Sequence, residues 1–169
     1  MKMPAILIGF GVMLMLSPLS VHAGSPDKTK PDPCALLKPD DLTTLLGATP
    51  IAKSTRGGDG CSWTASGSKR EFNAIIDKLT GPDTETVFMF GRMTAMNAAK
   101  SGGVTVTDEA GLGDKAFSSM DSSGVVLTII KQGRLLHLQY YPNGYFTKGT
   151  TAKDLDALRP VAKKAIEAL

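Results

Sequence analysis

The segment that most constrains this chain is a hairpin signal in residues 125–141, VVLTIIKQGRLLHLQYY. Two runs rich in apolar and β-branched residues, 125–131 and 134–141, flank the pair Gln132-Gly133. A two-residue loop with glycine in second place favours a primed β-turn, whose twist matches that of the strands it joins. The sequence therefore predicts an antiparallel pair of strands with a fixed register.

This register sorts the side chains of the hairpin onto two faces. One face is apolar, and its pairs are Ile129 with Leu136, Leu127 with Leu138, and Val125 with Tyr140. The other face is mixed, and its pairs are Ile130 with Leu135, Thr128 with His137, and Val126 with Gln139. We expect the apolar face to lie against the core and the mixed face to be half solvated.

Residues 1–23 have the pattern of an export signal. Lys2 supplies a positive start, an apolar run follows over residues 5–16, and small residues precede a cleavage position after Ala23. The run is shorter than the roughly 20 apolar residues that span a bilayer, although an uncleaved anchor is the alternative. No cysteine in or just after this segment could carry a lipid. We expect a periplasmic or secreted product with no membrane span after cleavage.

The rest of the chain divides into a polar, proline-rich leader over residues 24–32 and a single domain over residues 33–169. The net charge of +3 falls to +2 when Lys2 is removed with the signal. A nucleic-acid-binding protein usually concentrates basic residues on one face, and here they are scattered among acidic ones. The composition therefore argues against nucleic acid as a partner.

Helical and strand patterns in the domain predict an α+β fold. Leucines at helical spacing indicate a short helix that ends at Gly47, a second helix runs to about Lys100, and a third follows Thr150 or Thr151. Residues 115–141 read as three consecutive antiparallel strands, a β-meander. We expect one antiparallel sheet with its helices packed mainly on one face.

Cys34 and Cys61 are the two cysteines of the chain. In an exported protein, two cysteines most simply form one disulfide, here closing a loop of about 27 residues worth roughly 3.5 kcal/mol in chain entropy. A redox pair and a metal site are the alternatives. Redox cysteines usually stand as Cys-x-x-Cys and zinc needs further ligands, so the sequence favours a structural bridge.

Met89, Met93 and Met96 fall at helical spacing in the second helix. Thioethers in this arrangement can bind copper(I), which makes a periplasmic copper-handling protein one alternative function. The other interpretation is that these flexible side chains fill gaps in the core. With no histidine or cysteine nearby in sequence, the core interpretation is favoured.

The mixed face of the hairpin carries the candidate binding residues His137, Gln139 and Tyr141, and Tyr145 follows shortly after. Tyrosine presents both an apolar body and a polar tip, which suits a binding surface. His137 with its cross-strand neighbour Thr128 also raises a small hydrolase as an alternative, although the sequence places no acidic residue to orient the histidine.

Four short motifs resemble a known family: Pro33–Leu37 (PCALL), the helix end Leu46-Gly47, Cys61–Trp63 (CSW) and Gly111–Phe117 (GLGDKAF). They are similar to motifs of a family of small exported bacterial proteins, a domain of unknown function that includes many actinobacterial lipoproteins. The resemblance implies an α+β domain with a cysteine bridge, and it implies no enzymatic activity. Unlike many members, this chain has no lipid-attachment cysteine.

Together these features predict an exported, non-catalytic binding or interaction protein of the bacterial cell envelope. The expected partner is an unknown envelope protein or a small ligand, with no cofactor. Neither a phosphate-binding glycine motif nor a convincing catalytic constellation is present in the sequence.

Overall fold

The computed structural model of the protein describes residues 31–55, 58–77, 79 and 81–169. The predicted signal peptide, residues 1–23, lies outside the described residues, as does the predicted leader 24–32 except for its last two positions. Among the helices within these ranges, none has the length and apolar character needed to cross a membrane.

The described residues form an antiparallel sheet with helices on both sides, which is the α+β architecture expected from the sequence. The strands are β1 (Pro50–Ser54), β2 (Gly60–Ala65), β3 (Glu71–Ile76), β4 (Thr105–Asp108), β5 (Lys115–Met120), β6 (Val125–Lys131) and β7 (Arg134–Tyr141). The helices are α1 (Pro39–Leu46), α2 (Pro82–Lys100) and α3 (Ala152–Glu167), preceded by a short 3₁₀ turn at Pro33–Ala35. The strand order across the sheet is β1-β2-β3-β7-β6-β5-β4.

The hairpin β6–β7 lies near the middle of this sheet, and its register is the predicted one at every pair. The turn residues Gln132 and Gly133 have φ values of 51° and 72°. Positive φ at both central positions is the condition for a type I′ turn, so the turn prediction is confirmed. The meander β5–β6–β7 is confirmed as well.

One face of the sheet is covered by α1 and α3 and holds the main core. The predicted apolar face of the hairpin lies here, with Leu127, Leu136 and Leu138 all fully buried. Helix α1 ends at Gly47, whose φ of 82° is the left-handed cap predicted from its position. Two of the three helices in the described chain therefore share one face, as expected.

The disulfide between Cys34 and Cys61 is present, with 5.0 Å between the two Cα atoms. It joins the 3₁₀ turn at the start of the domain to β2, beside the fully buried Trp63. The bridge thus fastens the 3₁₀ turn at Pro33–Ala35 to the centre of the core; the disulfide itself was predicted from the cysteine count.

Helix α2 lies on the opposite face and contacts the sheet through a small second cluster. Phe88 packs edge-on against Phe117 with 5.2 Å between the ring centroids, and Ile130 and Leu135 complete the contact. At the amino end of the helix, the buried Thr84 donates a hydrogen bond to the carbonyl of Gly133 at 3.0 Å. The mixed face of the hairpin is therefore partly covered by α2.

The core interpretation of the methionines is wrong. Met89, Met93 and Met96 are 56%, 53% and 41% exposed, and Phe90 beside them is 65% exposed. The reason is that α2 turns Phe88 and the small residues of its carboxyl half toward the sheet, which leaves the methionines on the side away from it. We call these four exposed residues the outer α2 patch.

Candidate functional site: a groove beneath helix α2

A groove of about 460 Å³ runs between the carboxyl half of α2 and the sheet. It opens where β6 begins and β7 ends. On the helix side the wall consists of small residues: Gly91, Thr94, Ala95 and Ala98. Val126 lies on the sheet side, and Val104 follows the end of the helix. Because these helix residues are small, α2 does not close down on this part of the sheet, and a space of ligand size is left.

Three aromatic rings line the opposite side of the groove. The ring centroids of Tyr141 and Tyr145 are 4.7 Å apart. Those of Tyr145 and Phe146 are also 4.7 Å apart, and these two rings meet edge to face. Tyr141 is buried, Tyr145 is 53% exposed and Phe146 is 92% exposed. We call this series the aromatic ladder; it rises from the sheet into solvent along one side of the groove.

The charge at the groove is negative. Asp121 is the only charged side chain among the described residues that line it. Its Oδ1 accepts hydrogen bonds from the backbone N–H groups of Ser123 and Gly124 and from the Ser123 hydroxyl, at 2.7 to 3.0 Å. Glu71 is the cross-strand partner of Tyr141, so a second carboxylate lies near the buried end of the aromatic ladder.

The phenol of Tyr141 reports on this environment. Its pKa is raised to about 12, first by burial and then by the neighbouring Tyr145, Glu71 and Asp121. Both effects disfavour the negatively charged phenolate. The hydroxyl therefore stays protonated, and it donates a long hydrogen bond to Gln139 Oε1 at 3.4 Å.

Of the four binding residues predicted from the sequence, the fold brings three together: Tyr141 and Tyr145 line the groove, and Gln139 contacts Tyr141. His137 lies on the same face of β7 but outside the groove. Its Nδ1 is 3.2 Å from the Thr128 hydroxyl. Burial lowers the pKa of His137, and the charge of Asp77 partly opposes that shift.

The arrangement around His137 does not resemble a working catalytic centre. Thr128 is only 4% exposed, so a substrate has no access to its hydroxyl. Asp77, at the end of β3, uses its carboxylate to accept a hydrogen bond from the backbone of Leu79 at 3.1 Å. The histidine is therefore a partly buried polar residue satisfied by its cross-strand neighbour.

Sequence reasoning missed Asp121 and the small residues of α2. Asp121 lies in a hairpin turn, where an aspartate is expected for its hydrogen bonds to backbone N–H groups alone. Gly91, Ala95 and Ala98 carry no chemical signal of their own. Their role depends on facing the aromatic ladder, which a distant part of the chain supplies.

Met89, Met93 and Met96 lie together on the exposed side of α2. The Arg92 guanidinium donates a hydrogen bond to the Met96 sulfur at 3.2 Å, which places a positive charge beside one of the three thioethers. That sulfur is therefore already engaged as a hydrogen-bond acceptor, while the other two nitrogens of the guanidinium bind the carboxylate of Asp108 at 2.8 Å. Within the described ranges, no group of three or more His, Cys, Asp or Glu residues is arranged to hold a metal ion either.

Comparisons with family models, with curated proteins and with solved structures find no match to this chain. The resemblance in its four short motifs therefore stays a prediction.

Proposed function

We propose that this is an exported, non-catalytic binding protein of the bacterial cell envelope, and that it holds a small ligand in the groove beneath α2. The observation that carries the proposal is the aromatic ladder, with Phe146 92% exposed at its outer end. Large exposed rings beside an open groove are typical of binding surfaces, because ligand contact removes them from water.

Export is supported by the signal pattern at residues 1–23 and by the disulfide. Disulfides form and persist in oxidising compartments such as the periplasm and the extracellular space. The proposed location is accordingly periplasmic or extracellular.

The small-hydrolase and copper(I) alternatives receive less support from the geometry. The hydroxyl of Thr128 is buried, and the Arg92 guanidinium hydrogen-bonds the sulfur of Met96, one of the three methionines. In contrast, the groove is open to solvent and is lined by both apolar side chains and polar ones, which can fix the orientation of a ligand.

The proposal is tested by filling the groove. Ala98 lines it from an exposed position on α2, so Ala98→Trp places an indole in the space. The matched control is Asn97→Trp, one residue earlier and also exposed, which lines the outer surface of the helix instead. Both variants should fold, because neither residue belongs to the core.

The measurement is saturation-transfer NMR with a set of neutral, anionic and cationic amphiphiles that carry phenyl, indole or alkyl groups. We expect at least one compound to bind the wild type and Asn97→Trp equally and to lose binding to Ala98→Trp. If no compound shows this dependence on position 98, the groove is not a ligand site and the proposal fails.

A further inference from the structure

We infer that the ligand of this groove is an organic cation, an ammonium group attached to an apolar body. The inference rests on the proposed function and names the class of ligand. It follows from three properties of the groove: the sign of its charge, the aromatic rings that line it, and the apolar side chains in its walls.

Charge complementarity gives the first argument. Asp121 contributes the only charge among the described lining residues, and neither lysine nor arginine is among them. All three hydrogen bonds that Asp121 accepts end on Oδ1. The carboxylate keeps its negative charge, since these bonds hold its pKa below the ordinary value even though burial acts to raise it. An anionic ligand would be repelled here, and a cation would be attracted.

The aromatic ladder gives the second argument. The faces of tyrosine and phenylalanine rings are electron-rich and attract ammonium groups within about 6 Å, by roughly 0.5–1 kcal/mol at exposed sites. Tyr145 and Phe146 are both exposed and offer such rings in the lining of the groove, to which Asp121 also belongs. The pKa of Tyr141, raised in part by Glu71 and Asp121, agrees with a negative field at the ladder.

The walls give the third argument. Ala95, Ala98, Val104 and Val126 offer apolar contact along the groove, beside the uncharged polar residues Thr94, Ser119 and Ser123. A volume of about 460 Å³ suits a compound of phenylalkyl size. The apolar body would lie against α2, and the ammonium group would lie at the mouth between Asp121 and the ladder.

The outer α2 patch does not share these properties. Met89, Phe90, Met93 and Met96 lie beside Arg92, which is ion-paired with Asp108, and beside Lys100, so the local net charge is positive and not negative. The patch therefore supplies control substitutions: it is exposed and apolar like the ladder, but it faces away from the groove.

The experiment uses three compounds with one apolar body: 4-phenylbutylamine, 4-phenylbutanol and 4-phenylbutyrate. Binding to the mature protein is measured by isothermal titration at neutral pH, where the amine is a cation and the acid an anion. We expect the amine to bind about tenfold more tightly than the alcohol, through one partly exposed ion pair and the ring contacts, and the acid to bind most weakly. The preference should shrink as salt is added.

Two variants remove the carboxylates without removing hydrogen-bond acceptors. Asp121→Asn should reduce the preference for the amine over the alcohol to about threefold or less, and Glu71→Gln should reduce it by a smaller factor. Because Asp121 also accepts the hydrogen bonds that stabilise its turn, the melting temperature of the Asp121→Asn variant is measured as a check on folding. Glu71→Gln provides a second test that leaves this turn intact. Phe146→Ala should weaken the amine about two- to fivefold, whereas Phe90→Ala on the outer α2 patch should change nothing.

Equal binding of the alcohol and the amine would overturn the inference, as would an undiminished preference in both carboxylate variants. If all three compounds bind alike and Ala98→Trp removes all of them, the groove is a ligand site and only the cation assignment falls. If none of them binds in a manner sensitive to position 98, and the amphiphile set also fails, the proposed function falls with it.

Discussion

Gln132 is the non-glycine residue with a positive φ among the described residues, at 51° in the hairpin turn. L-residues other than asparagine and aspartate adopt this left-handed conformation at a cost of roughly 1–2 kcal/mol. The position is held because its backbone N–H donates to Asp114 Oδ2 at 2.7 Å, which docks the turn before β5 onto the hairpin.

We therefore expect Gln132→Asn to raise the free energy of unfolding by about 0.5–1 kcal/mol, since Asn-Gly is the preferred pair for this turn. Urea denaturation measures the change. The matched substitution Gln139→Asn, within β7, should not raise the free energy of unfolding, because asparagine is disfavoured in strands. An unchanged or lower stability in Gln132→Asn would mean that the turn is not strained.

Glu109 is a nearly buried carboxylate, with its side chain 6% exposed. Arg159 of α3 holds it with two hydrogen bonds of 2.8 and 3.0 Å, and the Ser118 hydroxyl donates a third at 2.8 Å. Burial by itself would raise the pKa of Glu109, but the hydrogen bonds from Arg159 and Ser118 outweigh it and hold the pKa below the ordinary value of 4.5.

Arg159→Met should cost about 2–3 kcal/mol at neutral pH, because it leaves a buried carboxylate without its cation; the partial exposure of Arg159 moderates the loss. A carboxylate with a lowered pKa stabilises the fold above its unfolded pKa, and that contribution is lost as the pH falls through the folded pKa. The difference between variant and wild type should therefore shrink below about pH 4.5. Urea titrations of both proteins at neutral pH and near pH 3.5 measure this difference in the free energy of unfolding.

The control for this pair is Arg92→Gln, which breaks the exposed ion pair of Arg92 with Asp108. Exposed pairs contribute little to stability, so the free energy of unfolding should stay near that of the wild type at both pH values. A loss in Arg159→Met that does not change with pH would indicate altered packing instead of an uncompensated charge.

At the scale of elements, α2 is unlike α1 and α3. Phe88 is 4% exposed and anchors the helix, whereas the methionines of the same helix face solvent. Helical spacing of apolar residues usually indicates a buried stripe. In α2 this spacing led to the wrong prediction for the methionines, because the helix has apolar residues on two sides. The stripe that contacts the sheet is the less conspicuous one, formed by Phe88 and small residues.

Substitutions in α2 should separate these two sides. Phe88→Ala should lower the free energy of unfolding by about 3–4 kcal/mol, because it leaves a cavity beside Phe117. Met93→Gln should change it by less than about 0.5 kcal/mol, since the side chain is already in water. Thermal and urea unfolding followed by circular dichroism test both. A large loss in Met93→Gln would show that the outer α2 patch is covered in solution.

At the scale of the whole molecule, the disulfide joins the 3₁₀ turn at Pro33–Ala35 to the sheet. The double variant Cys34→Ala with Cys61→Ala should lower the free energy of unfolding by about 3.5 kcal/mol, because the unfolded chain regains the freedom of a 27-residue loop. Trp63 is the one tryptophan of the chain and is fully buried, so its fluorescence reports the unfolding. A loss below about 1 kcal/mol would mean that the bridge is dispensable for stability.

The sequence by itself determined the local and periodic features of this protein. The hairpin register, the Gly47 helix end and the pairing of the two cysteines each depend on neighbouring residues or on simple counts, so they could be predicted. The positions of Gln139 and Tyr141 on one side of the sheet follow from the same alternation, whereas Tyr145 lies beyond the end of β7, where strand alternation does not apply.

Only the tertiary structure decided where the groove lies and what charge it carries. Gly91 and Ala98 line the groove only because α2 crosses the sheet near Tyr145. Asp121 lines it only because the turn between β5 and β6 reaches the same space. The burial of Glu109 likewise depends on Arg159, 50 residues away. These contacts join distant parts of the chain, and the type and spacing of residues do not indicate which distant segments come into contact.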